Sequence, residues 1–181
     1  MELEKIKAEE IKMEIINEKH NISEFNSYEK ELVQFLREDA INNQEQKLSL
    51  TFLWFLNDKI VSYISLLNDK VNLEGDLKDF FKDKGIHYKS LPALKIGRIC
   101  VDDDFLRRGL GKLMIFATIQ IANEINRNKA GCRFITLDAK RNIDKKFDSI
   151  RFYRKMGFKC LKERTKGTMP MYLDLKLIEE N

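Results

Sequence analysis

The sequence predicts a mixed α/β (α+β) fold in a single domain spanning residues 1–181, and three observations carry that prediction. Two β-branched and aromatic runs, Leu50 to Leu56 and Ile60 to Leu67, flank a short polar connection. A strand, a glycine-containing turn and a long helix follow one another between Leu94 and Asn126. A nearly continuous apolar run, Phe134 to Ala139, comes soon after that helix. Antiparallel strands first, then strand-helix-strand-helix, then a closing pair of strands describe one sheet with a right-handed crossover at its centre.

In chain order, a charged lead gives way to Ile11 to Asn17, which reads as a first strand. Tyr28 to Ile41 spaces Leu32, Phe35, Leu36 and Ala40 along one face of a helix, and that face belongs to the core. The runs on either side of Asn57-Asp58-Lys59 form an antiparallel hairpin. From Asn68 to Leu91 the pattern weakens: Asp76 to Lys84 is a short helix carrying Leu77, Phe80 and Phe81, and the rest is expected as surface loop. Leu94 to Val101 is the next strand, and a helix from Leu110 to Asn126 puts Leu113, Met114, Ala117, Ile121 and Ile125 on one face. Phe116 and Ile119 lie elsewhere around it, which predicts a helix covered on more than one side. Lys129-Ala130-Gly131 ends that helix, and Phe134 to Ala139 is a central strand. Ser149 to Met156 is a helix stopped by Gly157 at the position where a left-handed cap is needed. Phe158 to Lys162 and Met169 to Leu177 close the chain as strands.

The 181 residues are 43% apolar and 34% charged, which suits a globular domain and is too apolar for a disordered chain. No apolar run approaches the roughly 20 residues of a membrane span, and Met1 to Glu10 alternates acidic and basic residues where a signal peptide would be apolar. The expectation is a cytoplasmic protein with no membrane partner. Cys100, Cys132 and Cys160 show neither CxxC spacing nor a histidine cluster, so buried small residues are expected and neither a disulfide framework nor a metal site is. A net charge of +4 would help draw in an anionic cofactor or an RNA-borne substrate, but so modest an excess reads first as an ordinary solvated surface of mixed charge.

Arg107-Arg108-Gly109-Leu110-Gly111-Lys112 stands between a strand and a helix. Such a turn presents successive N–H groups at the positive end of a helix, and glycine lets a phosphate approach the backbone closely. A lone GxG serves as readily as a tight connection between packed elements. The GxxxxGK[ST] spacing of a nucleotide-triphosphate loop and the third glycine of a dinucleotide fingerprint are both missing.

Lys95 to Asp102, the glycine turn, Asp138-Ala139 and Phe152-Tyr153-Arg154-Lys155-Met156-Gly157-Phe158 together resemble the GNAT acetyltransferases. Phe25-Asn26-Ser27, Leu32, Phe35-Leu36, Ala40 and the hairpin resemble, more loosely, the branch that includes toxin acetyltransferases of toxin-antitoxin pairs. The resemblance implies the GNAT fold, a mixed twisted sheet of about six or seven strands with a central splayed parallel pair and flanking helices. It implies transfer of the acetyl group of acetyl-CoA, the cosubstrate, to a primary amine by direct attack in a ternary complex, with no metal. The amine would be a small molecule, a protein or an aminoacyl-tRNA; the oligomeric state is left open, a homodimer being one option. A non-catalytic acetyl-CoA-binding regulatory module is the alternative from another class.

Residue by residue, the resemblance assigns the pantetheine arm to the backbone of Ile99, Cys100 and Val101, where an N–H would also polarise the acetyl carbonyl. It assigns the pyrophosphate to the N–H groups of Arg107, Arg108, Gly109, Leu110, Gly111 and Lys112. Leu106 departs from the family pattern, which has Gln or Arg there. Tyr153 matches the tyrosine that protonates the leaving thiolate. Asn142 is the nearest match to an asparagine that touches the cofactor, although the stretch after it, Ile143 to Asp148, is longer than the family's. Asp138 and Asp102 to Asp104 are candidate proton acceptors from the amine, none of them singled out. Cys100 has no histidine beside it and is not expected to be a nucleophile; His20 and His87 are expected to be incidental.

Overall fold

The structure is a computed structural model, and it describes residues 4–141 and 149–179. Seven strands form one sheet in the order β1-β2-β3-β4-β5-β7-β6. They are β1 (Lys12–Ile15), β2 (Leu50–Leu56), β3 (Lys59–Asn72), β4 (Ser90–Val101), β5 (Phe134–Ala139), β6 (Lys159–Cys160) and β7 (Met169–Asp174). β4 and β5 are the parallel pair. Two compact units divide the chain, Met1–Leu67 with Ile96–Ala117 and Asn68–Lys95 with Thr118–Asn181. No helix of the described residues is long and apolar enough to cross a membrane.

In the first unit the expected hairpin forms on the shortest connection available. Asn57 and Asp58 both take positive φ, 49° and 63°, the left-handed pair whose twist matches that of the flanking strands. Between Trp54 and Phe55 the register shifts by a bulge. The expected helix over 28–41 is built from α1 (Lys30–Gln34), a π turn (Phe35–Asp39) and α2 (Ala40–Glu45). Leu36 and Ala40 are buried, as their spacing requires, in a core with Ile16, Phe25, Leu53, Tyr63 and Cys100. Tyr63 anchors that core: its ring meets Phe25 edge-on at 5.6 Å, and its hydroxyl donates to the Leu32 carbonyl at 2.7 Å. A buried phenol without such an acceptor would cost roughly 1–3 kcal/mol.

In the second unit α3 (Gly75–Asp83) buries Phe81 against Phe134 and Val71 and leaves Phe80 exposed. Arg133 forms a two-pronged ion pair with Asp174, both distances 2.8 Å, while its guanidinium lies over the Phe81 ring. α4 (Leu110–Asn128) runs through both units.

Five elements differ from the sequence reading. β3 continues to Asn72 and β4 starts at Ser90, inside the stretch expected as loop. Asn68, Asp69 and Lys70 hid the strand because polar residues are in place there; Asp69 accepts the Thr136 hydroxyl at 2.6 Å. On α4 the buried positions are Leu110, Met114, Ile115, Thr118 and Ala122, so of the expected stripe only Met114 is fully buried. Small Thr118 and Ala122 carry no hydropathy signal yet permit close packing. The expected closing strand to Leu177 ends at Asp174, whose carboxylate accepts the Lys176 N–H at 3.1 Å and starts the short helix α6 (Leu175–Glu179). β6 is only two residues long.

Candidate functional site

Ile99, Cys100 and Val101 end β4 in the first unit. Strand alternation turns the Cys100 side chain into the core, 5% exposed, while Ile99 and Val101 are half-buried. Burial pushes the Cys100 thiol up to about 11, with the Ser27 hydroxyl offsetting only part of that rise. The thiol is therefore protonated at neutral pH, which removes the thiolate that covalent transfer needs. What this strand end offers to a ligand is backbone.

Asp102 joins the strand to the turn. It is 2% exposed, and its two carboxylate oxygens accept the N–H of Asn26 at 2.9 Å and of Asp104 at 3.1 Å. Its own N–H donates to the Val61 carbonyl at 3.0 Å, and Phe105 N–H returns to its carbonyl at 2.9 Å. These bonds make Asp102 the cap of the single 3-10 turn Asp103–Phe105. Its chemistry is spent on structure. Asp104 pairs with Lys59 at 3.1 Å and, in the second unit, Asp138 with Lys95 at 2.7 Å. Asp103 Oδ1 is buried with no hydrogen-bond partner among the described residues.

The glycine turn follows. Arg107 takes φ +62° and Gly109 φ +93°, after which α4 begins at Leu110. Left-handed backbone costs an ordinary residue about 1–2 kcal/mol, which glycine escapes at 109 and which its surroundings must offset at Arg107. Those surroundings come from the start of the chain. Ile6 N–H donates to the Arg108 carbonyl at 2.9 Å, Arg108 Nε donates to the Glu4 carbonyl at 3.1 Å, and Lys5 Nζ donates to the Arg107 carbonyl at 3.3 Å. Arg108 also lies 5.6 Å over the Phe105 ring, and Lys112 lies 5.3 Å over Phe116. Leu113 N–H reaches the Gly109 carbonyl at 3.2 Å. The N–H groups of Leu110, Gly111 and Lys112, in the first turn of α4, have no carbonyl inside the helix to bond. The turn thus gathers main-chain donors, lysine and arginine charge and the positive end of a 19-residue helix.

In the second unit Tyr153 sits on α5 (Ser149–Lys155), 7% exposed, its ring 5.2 Å from Phe152 and 5.6 Å from Phe158. Burial pushes its phenol above the usual tyrosine range, so it keeps its proton throughout the neutral range. Gly157, at φ +90°, caps the helix as the sequence predicts: Phe158 N–H donates to Tyr153 C=O and Gly157 N–H to Arg154 C=O. Asn142 lies outside the described residues.

His20, expected to be incidental, holds a local turn: Nδ1 accepts the Asn17 N–H at 3.1 Å and Nε2 meets Glu14 at 3.0 Å. The part of the site that sequence reasoning missed is the contact of Glu4, Lys5 and Ile6 with the turn. Their alternating charges carry no signal of it, because two of the three bonds use main-chain atoms of the segment.

A profile of the Acetyltransferase (GNAT) family matches residues 13–158. Among curated proteins none matches the sequence. Solved structures share the fold at low identity. AtaT complexed with acetyl-methionyl-tRNAfMet superposes with a TM-score of 0.77 at 18% identity, over 94% of this chain and 98% of that one. A point mutant of KacT gives the same figures. A point mutant of the AtaT toxin, bound to the C-terminus of the antitoxin AtaR and acetyl-CoA, gives 0.71 at 16% over 94% and 96%.

Proposed function

The chain belongs to the GNAT acetyltransferase family and is an acyltransferase, and from that premise we propose that it moves the acetyl group of acetyl-CoA onto a primary amine by direct attack in a ternary complex. The observation that carries the cofactor assignment is the turn itself: Gly109 at φ +93°, followed directly by the N-terminus of α4. A diphosphate is the anion such a turn fits, since it has several acceptor oxygens and tolerates close backbone contact. The N–H groups of Arg107 to Lys112 would hold it, with the positive charge of the turn adding to the attraction.

Acetyl-CoA supplies an activated thioester carbonyl. The backbone of Ile99, Cys100 and Val101 is proposed to align the pantetheine arm, and an N–H there to stabilise the oxyanion that forms when the amine attacks. Tyr153 is proposed to donate a hydrogen bond and then its proton to the departing sulfur. Its raised phenol stays protonated until needed, though burial also lowers its driving force as an acid. Asp102 is too committed to backbone N–H groups to act as base. An amine that arrives deprotonated needs none. Asn142 remains a proposed cofactor contact, and residues 1–181 a proposed single catalytic domain acting in the cytoplasm.

A more specific reading of the acceptor is the amino group of an aminoacyl-tRNA. It is supported by the fold shared with AtaT, whose structure contains acetyl-methionyl-tRNAfMet, and by a net charge of +4. A small antitoxin protein would then be the partner, and a homodimer the assembly to test by sedimentation. Both readings are decided by following thiol release from acetyl-CoA across small amines, peptides and charged tRNAs. Release with one acceptor class is expected, together with growth arrest on expression if that class is charged tRNA. No release with any class, and no acetyl-CoA binding, would overturn the proposal.

A further inference from the structure

The start of the chain is not an idle lead. Glu4, Lys5 and Ile6 lie along the glycine turn and make three hydrogen bonds to its residues, at 3.1, 3.3 and 2.9 Å. Ile6 is 5% exposed, which anchors the segment from below, and Lys7 N–H bonds the Glu10 carboxylate at 2.7 Å, which closes it from the other side. Lys5 is the residue alongside the bare glycine: its Cδ would stand 3.8 Å from a Cβ built on Gly109, and among the described residues no other atom beyond the glycine's chain neighbours would come within 4 Å. Its ammonium, which has three N–H donors, gives one to the Arg107 carbonyl.

We propose that Lys5 is a further cofactor-contacting cation, held by the Glu4–Ile6 segment beside Gly109 at the diphosphate turn. The inference rests on the acetyl-CoA reading above. Leu106, three residues before Gly109, brings no polar group to the turn, so its positive charge comes from the residues on either side of it. Arg108 is only partly available, because its Nε is bonded to Glu4 and its plane lies over Phe105. Among the described residues Lys5 Nζ bonds the Arg107 carbonyl alone, and its side chain is exposed.

The test uses the full chain with Lys5→Ala, Lys5→Glu and Lys5→Arg, and two probes, acetyl-CoA and S-acetylpantetheine, the second sharing the thioester arm but lacking the diphosphate. Calorimetry or competition should show acetyl-CoA binding weakened about threefold to tenfold in Lys5→Ala, by more than about tenfold in Lys5→Glu, and nearly restored in Lys5→Arg. The losses should shrink at high salt, where exposed charges are screened. S-acetylpantetheine binding and the melting temperature should stay as in the parent chain. Equal acetyl-CoA affinity in all three variants, with the parent binding normally, overturns the inference alone. Parallel loss of both probes assigns Lys5 a structural role and also overturns it. A parent chain that does not bind acetyl-CoA overturns both this inference and the reading beneath it.

Discussion

In the first unit each bond that holds the turn from Arg107 to Lys112 or its approach has a main-chain atom as one partner: the Arg107 and Arg108 carbonyls accept from Lys5 Nζ and Ile6 N–H, and the Asp102 carboxylate accepts the N–H groups of Asn26 and Asp104. In the second unit the elements are held by side chains. Tyr153 is wedged between Phe152 and Phe158, and Arg133 grips Asp174 with two bonds beneath the aromatic group of Phe81 and Phe134. A site whose working atoms are backbone tolerates side-chain change until the change alters φ or brings the wrong charge. A proposed role that rests on one phenol oxygen, as at Tyr153, is sensitive to removal of that single atom.

The largest effect is expected at Asp174. Asp174→Ala strands the Arg133 charge where its side chain is 18% exposed, and a cost of about 3–5 kcal/mol is expected, measured by denaturant melts. A loss under about 1 kcal/mol would show that the pair behaves as a surface ion pair. Gly109→Glu comes next. A carboxylate on the turn repels the diphosphate, pairs with Lys5 and takes on the strain of φ +93°, so acetyl-CoA binding should weaken more than about a hundredfold, with the fold retained. Unchanged calorimetric affinity would contradict the cradle.

Tyr153→Phe removes one oxygen and leaves the aromatic packing. Turnover should fall about tenfold to a hundredfold while acetyl-CoA affinity holds, and unchanged turnover would take the phenol out of the mechanism. The smallest effect is in alkali. Tyr63, Tyr153 and Tyr172 are all raised from 10.0 by burial, so the unfolded chain ionises before the folded one. Their folded pKa values exceed the unfolded ones, hence stability is intact below pH 10 and declines above it, by up to about 1.4 kcal/mol per pH unit for each uncompensated phenol. Stability that rises between pH 10 and 11 would reverse that sign.

What the sequence made legible follows the same division. The Asn57-Asp58 hairpin, the Gly157 cap and the glycine turn are local, since each depends on φ choices that residue type nearly dictates. The buried face over 28–41 was legible in its spacing, though the π turn at Phe35–Asp39 was not. The long arms of β3 and β4 were hidden by polar residues that the structure satisfies elsewhere, Asp69 on Thr136 and Lys95 on Asp138. The Arg133–Asp174 pair and the clasp of Glu4, Lys5 and Ile6 join residues 41 and about a hundred positions apart, beyond the reach of periodicity or spacing. Tyr153 is proposed on its resemblance to a family pattern alone; as a buried aromatic on a helix it carries no functional signal of its own.

Amide hydrogen exchange across residues 107–112, with and without saturating acetyl-CoA, tests whether main-chain N–H groups hold the diphosphate. Marked slowing at Leu110, Gly111 and Lys112 is expected in the presence of the ligand, and no comparable slowing with S-acetylpantetheine. Exchange at these amides that stays unchanged while acetyl-CoA is bound would place the diphosphate elsewhere and remove the main-chain cradle from the enzyme.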